Sequence, residues 1–271
     1  MGREVRRADP EAGSLLVSDG GDLVLSVVSH GQRQLVLGLL DDLRRNVRTP
    51  FRIVVTENVP EEPALPAADY PFPIDVVRNV QRKGFGANHN AVAERSGSGL
   101  FCVLNPDIRI PSDPFPALSE VAAQPNVGVV APVVTGPDLV PEDHARAFPN
   151  IFTLAAKALG RRPNLVAPAG QAVYYPDWVA GMFMLFRSDT LRSIGGFDEK
   201  YFLYYEDVDL CARLRDRGFV VAVCPSISVV HNARRESRRN LRYAWWHLRS
   251  GARFLASRPR IALGLLSKPE N

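Results

Sequence analysis

The segment GGFDEKYFLYYEDVDLCARL, residues 195–214, sets acidic side chains among aromatic ones. Its acids include Glu199, Glu206, Asp207 and Asp209. A helix is predicted from about Glu206 to Arg217, so the Glu206-Asp207 pair stands at its start. Negative charge is favoured there, and simple capping is one interpretation of the pair. The apolar FLYY before it raises the proton affinity of a carboxylate, which suits a general base. The residues alone leave both interpretations open.

Short apolar runs alternate with helical patterns on both sides of this segment. Predicted strands are Leu23–Ser29, Phe51–Thr56, Ile74–Arg78, Leu100–Leu104, Val127–Val134 and Val220–Cys224, and further predicted helices are Gln34–Asn46 and about Ala87–Arg95. This alternation predicts an α/β domain whose mainly parallel central sheet is covered on both faces. Residues 136–177 hold several prolines and little periodicity, and are interpreted as a long connection or flap.

Polar residues follow the predicted strands directly. They are His30, Glu57-Asn58, Arg78-Asn79, and Asn105 with Asp107 in the sequence VLNPD. Ligands of parallel sheets bind at the carboxyl ends of strands, so these side chains are candidates for a binding cleft. A carboxylate at Asp107 would suit Mg²⁺ or Mn²⁺, which prefer oxygen ligands. Asn-Pro-Asp is also an ordinary turn sequence.

Two further features are candidates for ligand contact. In RNVQRKGFGANHNAV, residues 78–92, Gly84 and Gly86 permit close backbone approach, and the asparagines either bind a ligand or cap a helix. The spacing differs from that of a dinucleotide-binding loop. His231 follows a strand in SISVVHN; a lone histidine of this kind is usually a surface or core residue.

Composition is that of an ordinary globular protein. The chain has 271 residues, 46% hydrophobic and 23% charged, enough for one large domain. Its three cysteines lack zinc-site spacing and are expected to be buried free thiols. Neither a signal peptide nor a run of about 18 apolar residues is visible. We therefore expect a cytoplasmic protein that lies on a membrane without crossing it.

Arginines are concentrated near the end of the chain. Between Arg234 and Arg260 there are nine, opposed only by Glu236. Residues 238–256 are predicted to form a basic helix with Leu241, Trp245, Leu248 and Phe254 on or near one side. Such a helix would suit an anionic membrane surface, with Trp245, Trp246 and Phe254 at the interface. The alternatives are packing on the main domain or a homodimer contact. The expected division is a loosely ordered start (1–20), a catalytic domain (21–235) and a helical extension (236–271).

Taken in order, these segments resemble the inverting family 2 glycosyltransferases with the A-type, Rossmann-like fold, and most of all the bacterial rhamnosyltransferases of cell-wall and O-antigen polysaccharide biosynthesis. The residues that carry the resemblance are SVVSHGQ at 26–32, GFGANHNAV at 84–92, LNPD at 104–107, GMFMLFRSDTLRSIGGFDEKYFLYYEDVDLCARL at 181–214, and His231. The likeness spans about residues 23–235.

The resemblance implies a role for each matching residue. Asp207 matches the catalytic base, with Glu206 beside it. Asp107 matches the acid of a degenerate DxD motif that binds a divalent metal, Mg²⁺ or Mn²⁺, and His231 matches a histidine that completes the metal shell. The implied donor-binding residues are Ser29, His30, Glu57, Asn58, Arg78, Gly84, Phe85, Gly86, Asn90 and Asn105, and the implied acceptor-binding residues are Trp178, Gly181 and Asp209.

Two departures from the family pattern stand out. Asn105 occupies the first DxD position, which removes one charge from the metal site. The second strand ends in TEN rather than the frequent Asp-Asn-Gly-Ser, which affects the expected nucleotide contact at Glu57 and Asn58.

The reaction implied by the resemblance is a single displacement that transfers a sugar, L-rhamnose from dTDP-rhamnose, to a lipid-linked or polysaccharide acceptor at the inner membrane face. The alternatives are a transferase using a UDP-hexose and a non-catalytic carbohydrate- or lipid-binding module. A nucleotidyltransferase would show a Gly-rich basic loop where SHGQRQ stands at 29–34. A nucleic-acid partner is not expected, although arginines alone do not separate lipid phosphates from those of RNA.

Overall fold

The computed structural model describes residues 22–158, 172–232 and 241–265. The loosely ordered start predicted for residues 1–20, and the arginines between 234 and 239, lie outside the described residues. So does the beginning of the predicted basic helix, at residues 238–240.

The described chain forms ten strands and eight α-helices. The strands are β1 (Asp22–His30), β2 (Phe51–Val59), β3 (Ile74–Arg78), β4 (Gly99–Leu104), β5 (Ile108–Arg109), β6 (Val127–Thr135), β7 (Ala145–Arg146), β8 (Trp178–Val179), β9 (Phe183–Arg187) and β10 (Val220–His231). The helices are α1 (Arg33–Asn46), α2 (Phe85–Ala93), α3 (Phe115–Ala122), α4 (Ile151–Ala158), α5 (Ser188–Ser193), α6 (Glu206–Asp216), α7 (Leu241–Ser257) and α8 (Pro259–Ala262). A short 3₁₀ turn covers Ala67–Asp69.

Eight of the strands form one sheet in the order β3-β2-β1-β4-β9-β6-β10-β5. Strands β3, β2, β1 and β4 are parallel to one another, as are β6 and β10. Strand β9 is antiparallel to β4 and β6, and β5 is antiparallel to β10. The prediction of a mainly parallel α/β sheet is therefore confirmed.

The core lies on both faces of the sheet. Helices α1 and α3 cover one face through residues such as Leu39 and Phe115, and α2, α5 and α6 cover the other through residues such as Val92, Leu191 and Leu210. Burial of each large apolar side chain stabilises the fold by about 1.5–3 kcal/mol relative to its exposure. The three cysteines are buried and free, as expected.

Two regions differ from the sequence-based expectation. The connection at 136–177 contains β7 and α4, and β7 pairs with β8 in a small separate sheet. Strand β10 continues to His231 instead of ending at Cys224, because its second half pairs with the end of β6. This extension places His231 beside Ile108 of β5.

Helix α7 packs on the main domain through one face. Phe254 is fully buried against Phe148 and Tyr205, and Trp246 lies against Phe202. The expectation that Phe254 would face a membrane is wrong, because its ring is enclosed beside the turn that precedes α6, whereas Trp246 is half-buried. Across the described ranges, none of the helices has the length and apolarity required to span a membrane.

Candidate active site

The acid pair of the opening segment lies at the start of α6. The turn before it is backbone-strained, since Tyr204 and Tyr205 have φ of 70° and 67°. Non-glycine residues rarely adopt this left-handed conformation, and it persists where packing enforces it. His247 of α7 contacts both tyrosine rings, with centroid distances of 5.3 Å. The turn thereby fixes where Glu206 and Asp207 begin the helix.

The two acids of the pair have different surroundings. Glu206 is 5% exposed, and its Oε2 has no hydrogen-bond partner among the described residues. Burial and the charge of Asp207 raise the pKa of Glu206 well above its usual range. Asp207 is half-buried and accepts hydrogen bonds from the backbone N–H groups of Gly181 (3.0 Å) and Val208 (2.8 Å). These bonds favour its ionised form, although burial raises its pKa overall.

Asp107, His231 and Glu142 form a second polar cluster. The His231 ring donates hydrogen bonds to Asp107 Oδ2 from Nε2 (3.2 Å) and to Glu142 Oε2 from Nδ1 (2.6 Å). Burial lowers the pKa of His231, but these bonds and the two negative charges outweigh it and raise the pKa to about 9. Asp107 Oδ1 is buried and has no partner among the described residues. The cluster therefore has an unused oxygen that an additional cation would satisfy.

These residues fit a divalent cation that takes most of its ligands from elsewhere. In the part of the chain that the structure describes, no three or more His, Cys, Asp or Glu side chains are arranged so that all could bind one metal ion. Mg²⁺ and similar ions are commonly held by one or two carboxylates, with substrate phosphates and water supplying the other ligands. Asp107 is suited to that arrangement, and His231 becomes a ligand when the metal displaces the Nε2 proton that the ring donates to Asp107. Glu142 binds the opposite ring nitrogen, which is the usual place of a group that orients a ligating histidine.

The backbone at 181–182 joins the two clusters. Gly181 donates to Asp207, and the carbonyl of Met182 accepts a 2.9 Å hydrogen bond from the N–H of Asn105. The Phe85 ring lies so close to Gly181 that an added Cβ would be 3.1 Å from it. The structure thus brings Phe85, Asn105, Gly181 and Asp207 together at one edge of the sheet.

The expected donor-binding residues at the ends of β1, β2 and β3 form a connected set. Asn58 is buried, donates to His30 Nδ1 (3.1 Å) and accepts from the N–H of Lys83 (2.9 Å). Glu57, also buried, pairs with Arg78 (2.8 Å). Ser29 accepts a hydrogen bond from the N–H of Gln32, and the pKa of His30 is lowered by burial and by Arg82. These contacts order the TEN segment despite its departure from the family pattern.

Other expected donor residues mainly hold α2 against the loop at 197–202. Asn90 donates to the carbonyl of Phe197 (2.9 Å) and accepts from its N–H (2.8 Å). Gly84 faces the backbone of Phe202, and Gly86 faces the Phe197 side chain. Their roles in donor binding stay predictions, and the structure adds a packing reason for each residue type.

Exchange of Gly86 for alanine should destabilise the protein. The new Cβ would lie 2.5 Å from Phe197 Cβ, closer than packing allows. We expect a loss of about 1–3 kcal/mol in the free energy of unfolding, as is usual for overpacked sites. Chemical denaturation of Gly86→Ala measures this loss. Glycine-to-alanine exchange inside a helix ordinarily stabilises by about 0.5–1 kcal/mol, so a gain would contradict the packing account.

The expected acceptor residues occupy different places. Gly181 adjoins Asp207, as described. Trp178 lies in β8, where its Nε1–H donates to Ala147. Asp209 is 5% exposed and pairs with Arg213 (2.8 Å) and Arg258 (3.7 Å). Acceptor binding stays a prediction for Asp209, whose carboxylate is engaged by two arginines.

Sequence reasoning missed Glu142 and His89. Glu142 belongs to the Pro-rich connection, and 89 positions separate it from His231. His89 is fully buried beneath Phe85 (ring centroids 4.5 Å apart) and bonds to Ser26 Oγ. Burial lowers its pKa to about 3, so the ring is neutral. Its place within GFGANHN was the available signal.

Comparison with solved structures identifies the fold. The structure of GalNAc-T7 with UDP, GalNAc and Mn²⁺ matches with a TM-score of 0.67 at 15% sequence identity, over 89% of this chain and 51% of that chain. The chain has the A-type glycosyltransferase fold. No family model matches the sequence.

Sequence comparison shows which glycosyltransferases the chain is similar to. Over 86 residues the chain is 43% identical to the rhamnosyltransferase WbbL of Escherichia coli K12, covering 31% of this chain and 32% of WbbL. Over 143 residues it is 30% identical to the N-acetylglucosaminyl-diphospho-decaprenol L-rhamnosyltransferase of Mycobacterium tuberculosis, covering 48% of this chain and 46% of that enzyme. The chain is thus related to the family 2 glycosyltransferases of the rhamnosyltransferase type. The matched segments span less than half of each relative.

Proposed function

We propose that this chain is an inverting glycosyltransferase that transfers L-rhamnose from dTDP-rhamnose to a lipid-linked acceptor at a membrane surface. The observation that carries the proposal is the half-buried Asp207 carboxylate, which accepts a hydrogen bond from the Gly181 N–H beside the Phe85 ring. The carbonyl of the next residue, Met182, accepts a hydrogen bond from the N–H of Asn105 and so links this site to the Asn105–Asp107 segment. The rhamnosyltransferase relatives support the donor sugar, and the decaprenol-linked substrate in the name of the mycobacterial relative supports the acceptor class.

The proposed reaction uses Asp207 as the base. Its carboxylate accepts the proton of an acceptor hydroxyl while that oxygen attacks the anomeric carbon of the sugar. The bond from the anomeric carbon to the phosphate oxygen breaks, the electron pair leaves with the nucleoside diphosphate, and the configuration inverts. In the proposed mechanism Glu206, whose pKa is raised by burial and by the charge of Asp207, keeps its proton, and Asp207 is the anion of the pair. Burial raises the pKa of Asp207 and makes its carboxylate a stronger base.

Asp107 and His231 are the proposed metal ligands. A bound Mg²⁺ or Mn²⁺ would neutralise charge on the departing diphosphate. The Mn²⁺ in the matching GalNAc-T7 structure supports a divalent ion. Within this chain, Glu142 holds the Nδ1–H of His231 and so directs Nε2 toward Asp107.

The donor is expected to be dTDP-rhamnose. A panel of dTDP-rhamnose, UDP-glucose, UDP-galactose and GDP-mannose, each with Mg²⁺ or Mn²⁺, would be scored by thermal shift and by donor hydrolysis. The largest shift and the fastest hydrolysis are expected with dTDP-rhamnose. A preference for a UDP-hexose would contradict dTDP-rhamnose as the donor but would still support glycosyltransferase activity. A chain that responds to none of them would instead be a non-catalytic binding module.

A further inference from the structure

Helix α7 exposes an apolar stripe to solvent. Trp245 is 60% exposed and Leu248 67% exposed, and Ala252 and Ala256 are exposed on the same side. Their spacing of three, four and four residues places them along one face of a helix. None of the described residues covers this stripe. Its large apolar side chains are therefore in contact with solvent instead of being enclosed in a core.

A basic stripe runs beside the apolar one. Arg242, Arg249 and Arg253 are exposed and follow one another at spacings of seven and four residues, which is again one helical face. Arg242 lies over the Trp246 ring at 4.8 Å. No acidic residue occurs anywhere in the α7 sequence LRYAWWHLRSGARFLAS. Adjoining apolar and cationic stripes are typical of helices that lie in the interface of an anionic membrane.

The opposite face of α7 fixes how these stripes are presented. Phe254 is fully buried, the Ser250 hydroxyl donates to the carbonyl of Leu203 (2.9 Å), and Gly251 lies against the Tyr205 ring. The helix is therefore anchored to the domain without help from Trp245 or Leu248. Packing gives no reason for those two side chains to be apolar.

A cavity opens where the basic stripe meets the main domain. Its volume is about 400 Å³, and the cationic side chains in its lining are Lys200, Arg213, Arg253 and Arg258. Asp209 pairs with Arg213 and Arg258. Lys200 and Arg253 form no ion pair with any carboxylate of the described ranges, although Asp198 also lines the cavity. Neither cation is held by a carboxylate that a phosphate reaching the cavity would have to displace, although Arg253 also lies over the Tyr201 ring at 5.7 Å.

We propose that the outer face of α7 docks on an anionic lipid bilayer, with Trp245 and Leu248 in the interface and headgroup phosphates at Arg249 and Arg253. Charge complementarity selects this occupant, because the stripe is cationic and anionic lipid headgroups supply the opposite charge. A second copy of the chain would bring another basic stripe, and a nucleic acid would leave the apolar stripe unused.

Docking through α7 would place the catalytic turn near lipid. The inner face of α7 contacts Leu203 and Tyr205, just before Glu206 and Asp207. A helix with its side chains is about 10 Å wide, so a lipid-linked acceptor would meet the base a short distance above the bilayer. This step rests on the proposed function, whereas the docking surface does not.

Vesicle co-sedimentation of the full chain tests the surface. The probes are phosphatidylcholine vesicles and vesicles with about one third phosphatidylglycerol, at low and high salt. Binding is expected only to the anionic vesicles and should weaken with salt. Trp245→Ser/Leu248→Ser and Arg249→Gln/Arg253→Gln should each weaken it about tenfold or more, without a change in Tm. The matched control, Arg45→Gln/Arg95→Gln, removes two exposed arginines, one in α1 and one in the turn after α2, and should bind like the wild type.

Three outcomes would overturn the docking surface: no binding of the wild type to anionic vesicles at low salt, full binding by the α7 variants, or preference for a DNA duplex over vesicles. Donor hydrolysis, measured without vesicles, reports on the transferase separately and should be unchanged in the α7 variants. Donor hydrolysis without binding to vesicles would contradict only the docking surface. Binding to vesicles without a response to any nucleotide sugar would contradict only the proposed function.

Discussion

Asp207→Asn should lower kcat by about a hundredfold or more, because the variant loses the base that takes the acceptor proton. Donor binding should remain, since the amide keeps the shape of the carboxylate. Asparagine retains one of the two acceptors now used by Gly181 and Val208, so Tm should fall by only a few degrees. The measurements are single-turnover kinetics with saturating donor, and thermal unfolding with and without donor.

Glu206→Gln is the matched control for this substitution. The proposed mechanism keeps Glu206 protonated, as its raised pKa favours, and glutamine imitates a neutral carboxyl, so most activity should persist. In the wild type, kcat should fall with decreasing pH as Asp207 is protonated. Because its pKa is raised, this fall should occur above the ordinary aspartate value of 3.8. Wild-type turnover in Asp207→Asn would move the base to Glu206 or Asp209.

Removal of divalent metal should abolish activity, and Asp107→Ala should weaken Mn²⁺ binding more than His231→Ala does. The carboxylate supplies charge as well as a ligand, whereas the imidazole supplies a ligand alone. Glu142→Gln should lower Mn²⁺ affinity by about 10–100-fold, as is usual when a group that orients a ligating histidine is lost. Electron paramagnetic resonance titration of Mn²⁺ with dTDP present gives these affinities independently of turnover.

The matched control for Glu142→Gln is Glu120→Gln, an exposed residue of α3. It loses the same charge from a residue outside the cluster and should leave Mn²⁺ affinity unchanged. Full activity in a chelator would contradict the metal part of the mechanism. Equal Mn²⁺ affinity in Glu142→Gln and the wild type would show that His231 needs no orienting partner.

Six of the eight strands of the sheet were predicted, because their apolar runs are continuous and end in polar residues, whereas β5 and β9 were not. The segment Ile74–Arg78 has the same bounds in sequence and structure, and Glu206 begins α6 as its acidic first turn predicts. The direction of β9 was not predictable, since FMLFR has the same apolar pattern in either orientation. Local periodicity specifies an element but not its neighbours.

Contacts between distant segments account for the rest. Glu142 reaches His231 across 89 positions, from a stretch with no helical or strand period. In α7 the sequence indicated an amphipathic helix but not which side faces the protein. The buried side is set by Gly251 and Phe254, which fit against Tyr205. A helical pattern with large apolar residues on two sides leaves that choice to tertiary packing.

Because of the left-handed turn at Tyr204 and Tyr205, substitutions in α7 and substitutions near the acid pair are expected to depend on each other during evolution. Two consecutive strained residues are costly, by about 1–3 kcal/mol each, and His247, Gly251 and Phe254 are the α7 residues that pack against them. A bulkier residue in place of Gly251 would push on the Tyr205 ring, 3.1 Å from its Cβ position, and through it on the start of α6. The residues of the helix and those of the turn must therefore change together. A chimaera that borrows α7 from a relative would need that relative's residues 201–207 as well.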